Sequence, residues 1–193
     1  LKNLIKSGNK IIKIEGILSG TLSYIFNCFG NQDIKFSEIV KQAYKLGYTE
    51  PNPAEDLNGM DVARKLLILV RECGLELELN QIELESLIPT ELENISDINK
   101  FFDRLKDLDI KLDQMKKDNP NKVLRYIAEF SNNKAIVKKT FVDSNHPFYN
   151  LNGSDNIVSF HTNKYTNPII IRGPGAGFEV TADGVLNDIL HIK

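Results

Sequence analysis

Several protein classes can be set aside from what this sequence has little of. Of its 193 residues two are cysteine and three are histidine. Cys28 and Cys73 have neither CxxC spacing nor a disulfide-rich context, so they read as buried free thiols of a chain kept in a reducing, cytoplasmic setting. His146, His161 and His191 lie far apart, with no i,i+4 pair and no neighbouring cysteines. Each reads as a packing or surface residue, and a metal site has no support. Lys and Arg total 24 against 26 acids, a formal charge of −2, so no basic excess points to nucleic acid or an anionic membrane. The longest apolar run, Leu66 to Val70, is too short to span a bilayer. There is no low-complexity tract, no internal repeat and no local signature of a Ser-His-Asp or Cys-His arrangement.

What is present is an ordinary globular composition, 41% hydrophobic and 26% charged, with length enough for one large domain or two small ones. Leu1 to Lys6 reads as the last turns of an amphipathic helix stopped by Gly8, which sets the expectation that the chain is a piece of something longer. Ile11 to Ile17 alternates as a half-buried strand, with Ile12 and Ile14 set against Lys13 and Glu15. Ser19 caps a helix from Leu22 to Phe29 closed by Gly30, and Ser37 caps the next, which ends at Gly47. A largely apolar helix runs from near Asn58 to before Gly74. Leu75 to Leu79 reads as a strand, and Ile98 to Lys117 as two helices with Phe101, Phe102, Leu105, Leu108, Ile110, Leu112 and Met115 turned inward. Val123–Phe130 and Ala135–Val142 read as a hairpin joined by Asn132-Asn133-Lys134. Strands at Ile157–His161 and Ile169–Ile171 follow, then a helix ending near Leu190. The order predicts an α+β fold, a mixed β-sheet packed with helices, and one structural unit over 1–193.

Three places carry candidate chemistry. The free N–H groups near Gly20 and Thr21, at a helix start, are either an ordinary cap or a seat for a carboxylate or phosphate. Gly173-x-Gly175-x-Gly177 between a strand and a helix outlines a dinucleotide fingerprint, but the spacing is GxGxG rather than GxGxxG, and no second strand follows. It is therefore either a structural turn or a backbone turn that touches a ligand held by another domain. The third is Gly47 to Lys65, with Glu50, Glu55, Asp56 and Asp61, Pro51 and Pro53, and Gly47 and Gly59 ahead of an apolar helix. Asp61 and Lys65 are either an i,i+4 surface pair or the polar lining of a small-molecule site, in which a lysine near an acid supplies acid–base chemistry.

The stretch Gly47-Tyr-Thr-Glu-Pro-x-Pro-x-x-Asp-Leu-x-Gly-Met-Asp-Val-Ala-Arg-Lys65 resembles the signature of the homoserine dehydrogenase family. So do Glu15-Gly-Ile-Leu-Ser-Gly-Thr-Leu-Ser-Tyr-Ile-Phe-Asn27 and Gly175-Ala-Gly-x-x-Val-Thr-Ala182, in the family order. The intervening length fits the form fused behind an aspartate kinase. The resemblance implies the catalytic and dimerisation region, with the N-terminal Rossmann domain outside these residues. It implies reduction of L-aspartate 4-semialdehyde to L-homoserine by NADPH or NADH, in threonine and methionine synthesis, by a homodimer or higher homo-oligomer. Carried over by position, Lys65 is the proton donor, Glu50 and Asp61 hold the substrate ammonium, and Gly20, Thr21 and Tyr48 line the substrate pocket. Gly47 and Gly177 approach the cofactor, and Asp56 supports the loop. Asn52, Ala54, Glu55, Pro174 and Phe178-Glu179 depart from the family pattern without falling on these positions. The other expectation is a non-catalytic amino-acid-binding or dimerisation module.

Overall fold

The computed structural model describes residues 1–192, and Lys193 lies outside the described residues. A short helix, α1 (Lys2–Lys6), ends at Gly8, whose φ of +80° only glycine adopts without strain. Strand β1 (Ile11–Ile17) follows and enters the core. The Ser19 hydroxyl accepts from the Leu22 N–H at 3.2 Å and starts α2 (Gly20–Asn31) as its sequence position foretells. Gly30 does not close that helix but lies within its last turn. The next helix, α3 (Phe36–Lys45), starts two residues earlier than a Ser37 cap requires. Instead, the Asp109 carboxylate accepts from the Ser37 N–H at 2.8 Å and the Ser37 hydroxyl at 2.6 Å. The cap comes from a remote helix, which no local pattern could show.

A single turn, α4 (Ala54–Leu57), precedes the apolar helix expected from near Asn58 to before Gly74, which is α5 (Met60–Glu72); Gly59 at φ +76° separates the two. Asn58 Oδ1 accepts from the Met60 N–H at 2.8 Å and caps the second. Leu75 to Leu79 makes no strand. Leu77 is buried between exposed Glu76 and Glu78, so the apolar alternation is there, but the backbone turns at Leu79–Gln81, where the Gln81 side chain accepts from the Glu78 N–H. The two-residue strand β2 (Glu83–Leu84), α6 (Thr90–Glu93), α7 (Ile98–Leu105) and α8 (Asp109–Lys117) follow. Phe101, Leu105 and Leu112 are buried there as expected, whereas Ile110 is 81% exposed.

The hairpin β3 (Val123–Ser131) and β4 (Lys134–Val142) closes through Asn132 and Asn133 at φ +50° and +60°. Asparagine tolerates this left-handed pair, which matches the twist of the flanking strands. β5 (Asp155–Thr162), β6 (Ile169–Pro174) and the helix α9 (Phe178–His191) complete the described residues. The sheet has six strands in the order β2-β4-β3-β1-β5-β6, antiparallel except for the β2–β4 pair. A mixed sheet with helices is therefore what the α+β reading foretold.

Ile14, Ala128, Phe130, Val137 and Phe160 face α2 and α5, where they join Phe26, Phe29 and Leu66 in the main core. On the other face Ile17, Ile127, Val142 and Ile157 are covered by Phe148 and Leu151 of the β4–β5 connection. Arg125, 3% exposed, secures that connection by donating from Nε to the Phe148 carbonyl at 3.0 Å and from a terminal nitrogen to the Tyr149 carbonyl at 2.7 Å. Burial lowers its pKa to about 10. The alternation in β1 does not leave Glu15 in solvent. It is 8% exposed and meets His146 at 3.7 Å, His161 at 3.4 Å and Lys13 at 2.9 Å. Burial alone would raise its pKa, but His146 and Lys13 outweigh that and lower it to about 2. Two of the three histidines thus share one carboxylate. No helix among the described residues is long and apolar enough to cross a membrane.

Candidate active site

The C-terminus of α3 sets the site's first wall. Leu46 caps the helix, Gly47 takes φ +74°, and the N–H groups of Gly47 and Tyr48 donate to the Tyr44 and Ala43 carbonyls at 3.1 and 3.0 Å. This is a Schellman closure, and it needs glycine for its backbone angle. A Cβ there would meet nothing within 4 Å. The turn throws Tyr48 across the start of α2. Its ring stacks on Tyr24 with centroids 4.5 Å apart, and its carbonyl accepts from the Thr21 hydroxyl at 2.6 Å.

Beyond Tyr48, the Glu50 N–H donates to Asp56 Oδ2 at 2.8 Å, which folds the proline-rich loop back on α4. Gly59 then fixes the direction of α5, because a Cβ there would overlap the Tyr126 hydroxyl. That hydroxyl donates to the Glu85 carbonyl at 2.6 Å. Asp61 sits in the first turn of α5 and Lys65 one turn on, Nζ to Oδ2 2.7 Å. Lys65 Nζ also donates to the Leu18 carbonyl at 3.1 Å, immediately past β1. The lysine is thereby tied to the β1–α2 junction that carries Gly20 and Thr21. A Cβ at Gly20 would crowd the Ser154 carbonyl at 3.1 Å.

The structure thus brings Gly20, Thr21, Tyr48, Glu50, Asp61 and Lys65 to one end of the molecule. Asp56 lies close enough to Glu50 and Asp61 to feel both charges, and of the three carboxylates Asp61 pairs with Lys65. Burial pushes the Asp56 pKa up; the Glu50 N–H works against this, and the charges of Glu50 and Asp61 add to it. The lysine and Asp61 side chains are 45% and 57% exposed. The pair is therefore open to solvent on one side. Exposed Ile68 lies on the same helix, which is less fully buried than its composition foretells.

A pocket of about 520 Å³ adjoins Lys65 between α5 and the β5–β6 edge, lined by Leu18, Ile68, Asn156, Arg172 and Pro174 among others. Gly177 does not share in these contacts. It takes φ +129° at the start of α9, and a Cβ there would meet nothing within 4 Å. Among the described residues no group of three or more His, Cys, Asp and Glu could hold a metal ion. Cys28 and Cys73 are free thiols, each half-buried.

A family model described as homoserine dehydrogenase matches residues 1–190. The chain belongs to the homoserine dehydrogenase family. It is 48% identical over 200 residues to the homoserine dehydrogenase of Saccharomyces cerevisiae, covering all of this chain and 56% of that protein. It is also 48% identical to the chloroplastic bifunctional aspartokinase/homoserine dehydrogenase of Daucus carota, covering 21% of that protein. A Candida auris protein of unknown function has the same fold with a TM-score of 0.93 and 47% identity, over 98% of this chain and 55% of the other. A putative homoserine dehydrogenase from Archaeoglobus fulgidus gives 0.78 and 26%, over 98% and 52%. The chain spans about half the length of its unfused fungal relative and about a fifth of the fused plant one.

Two features of this family member escape sequence reading. The Leu18 carbonyl, which anchors Lys65, is a backbone group with no residue-type signal. Asn156 lies outside every motif quoted above, and its only sequence trace is the glycine at 175, which packs against it.

Proposed function

We propose that this chain is the substrate-binding, proton-donating and subunit-associating part of an NAD(P)-dependent homoserine dehydrogenase, which reduces L-aspartate 4-semialdehyde to L-homoserine. The observation that carries this reading is Lys65, held between Asp61 and the Leu18 carbonyl where an acidic cluster meets an apolar pocket. Asp61 Oδ2 holds the lysine, which leaves Oδ1, with the Glu50 carboxylate, for the substrate ammonium. Such charge-assisted pairs are about twice as strong as neutral hydrogen bonds. The first N–H groups of α2, at Gly20 and Thr21, suit the substrate carboxylate. Lys65 Nζ gives its proton to the aldehyde oxygen as the carbon is reduced, and regains one from water at its open side.

The nicotinamide cofactor, when bound, supplies the hydride. The pocket beside Lys65 fits a flat ring: its walls are Ile68, Leu69 and Val158, and it contains a buried side-chain oxygen without a partner, Asn156 Oδ1. Gly47 and Gly177 belong to the turns that would border such a cofactor, with its main binding domain supplied by sequence outside this chain. Association as a homodimer or higher homo-oligomer and a cytoplasmic location are part of the same reading, the latter supported by the free thiols.

Steady-state assay of the full-length enzyme with Lys65→Ala tests the proposal. Loss of proton donation is expected to lower kcat by about 10²–10⁴-fold. Near-normal turnover would remove Lys65 from the mechanism. A full-length protein that binds homoserine yet never oxidises it with NADP⁺ or NAD⁺ would favour the binding-module alternative.

A further inference from the structure

Asn156 stands on β5 opposite Gly173 of β6. Its side chain belongs to the wall of the pocket that Lys65 also lines. Its Oδ1 is buried and accepts no hydrogen bond from the protein. An orphaned buried acceptor has lost its water and gained nothing in exchange. An amide in that condition, where an apolar side chain would pack, needs a partner that comes from elsewhere. A Cβ at Gly175 would overlap the Asn156 amide at both Nδ2 and Cγ, so the turn after β6 closes over the amide only because residue 175 is glycine. Arg172, the nearby cation of the pocket wall, donates from Nε to Asp155 at 3.1 Å and makes no hydrogen bond to Asn156 Oδ1.

The partner must offer an N–H or O–H at the end of a body that suits Ile68, Leu69, Val158 and Ile171. A planar heteroaromatic ring carrying a primary carboxamide meets both conditions. We infer that Asn156 is a cofactor-binding residue whose Oδ1 accepts a hydrogen bond from the carboxamide N–H of the nicotinamide ring, orienting the ring beside Lys65. Gly175 serves this by leaving the amide its place. The inference rests on the dehydrogenase reading above and adds to it a residue that selects for the carboxamide itself.

The test uses the full-length enzyme and two cofactors, the natural nicotinamide nucleotide and its 3-acetylpyridine analogue, in which a methyl replaces the carboxamide NH₂. Dissociation constants come from isothermal titration, so the readout does not depend on turnover. Wild type is expected to prefer the carboxamide cofactor by about 5–10-fold, the value of one neutral hydrogen bond. Asn156→Leu is expected to weaken the natural cofactor by that factor and to bind both cofactors equally. Asn156→Asp, which keeps an acceptor at the same place, is expected to retain the preference. Because Oδ1 has no partner within the protein, Asn156→Leu is also expected to melt no lower than wild type. Equal preference in wild type and Asn156→Leu would overturn the inference while leaving the dehydrogenase reading intact. Failure of the wild-type enzyme to bind either nucleotide would overturn both. A large fall in the melting temperature of both variants would show the amide to be a structural group and would likewise refute it.

Discussion

Gly59→Ala is expected to be among the most damaging small substitutions in this chain, although it adds one methyl group. Two independent costs meet at this position. Its φ of +76° places it in the left-handed region, where a Cβ costs roughly 1–2 kcal/mol. The new methyl would also overlap the hydroxyl of Tyr126, a residue only 2% exposed. Moving that ring breaks its 2.6 Å hydrogen bond to the Glu85 carbonyl and leaves a buried polar group unpaired, about 1–3 kcal/mol more. The expected loss is therefore about 2–5 kcal/mol, measured by urea unfolding followed by circular dichroism. Tyr126→Phe separates the two costs, because it removes the hydroxyl and leaves the backbone strain. In the double variant the Gly59→Ala cost is expected to shrink by at least about 1 kcal/mol. Strictly additive effects would refute the assigned collision. Since Gly59 also aims α5, the proposed function predicts that the homoserine KM of a surviving Gly59→Ala enzyme rises.

Two further outcomes follow from the titrating groups. The Asp56 pKa is raised, mainly by burial; protonation there would remove a negative charge from the proposed ammonium site. The kcat/KM of the full-length enzyme is thus expected to fall on acidification at a pH above the ordinary aspartate range, and Asp56→Asn should lower the plateau and erase that limb. An unchanged acid limb in Asp56→Asn would assign the titration elsewhere. Glu15 has its pKa lowered from 4.5 to about 2. A carboxylate depressed in the folded state stabilises above its unfolded pKa, and that stabilisation is lost as pH falls through the folded value. Glu15→Gln is therefore expected to cost up to about 3 kcal/mol near neutrality and almost nothing near pH 2. Equal destabilisation at both pH values would mean the charge is not what Glu15 contributes.

The local parts of this structure were open to reading. The Asn132-Asn133 hairpin, the Ser19 cap and the Gly47 closure each depend on a few adjacent residues whose conformational preferences decide the geometry. The acidic loop and the Asp61–Lys65 pair likewise lie within one short stretch, so their proximity follows from the chain itself. What could not be read is what arrives from a distance. Asp109 caps α3 across 72 residues, and Glu15 receives His146 and His161 from the far end of the chain. Leu75–Leu79 has a strand's alternation, but its backbone groups are drawn into the Gln81 turn. Asn156 carries no motif, because an unpartnered acceptor is defined by what its neighbours fail to offer.

The tie between Lys65 and the Leu18 carbonyl also sets how the two halves of the site can move. β1 pairs on both edges and runs through the buried centre of the sheet, so its amides should exchange with solvent only when the whole domain opens. Of the loop from Tyr48 to Pro53, Tyr48, Glu50 and Pro51 are exposed, and its few tertiary hydrogen bonds should open locally on a faster timescale than the strand. On the proposed function, substrate would enter and leave by displacing the acidic loop while the lysine keeps its place. Hydrogen exchange would show this as two well-separated protection levels within the one proposed site.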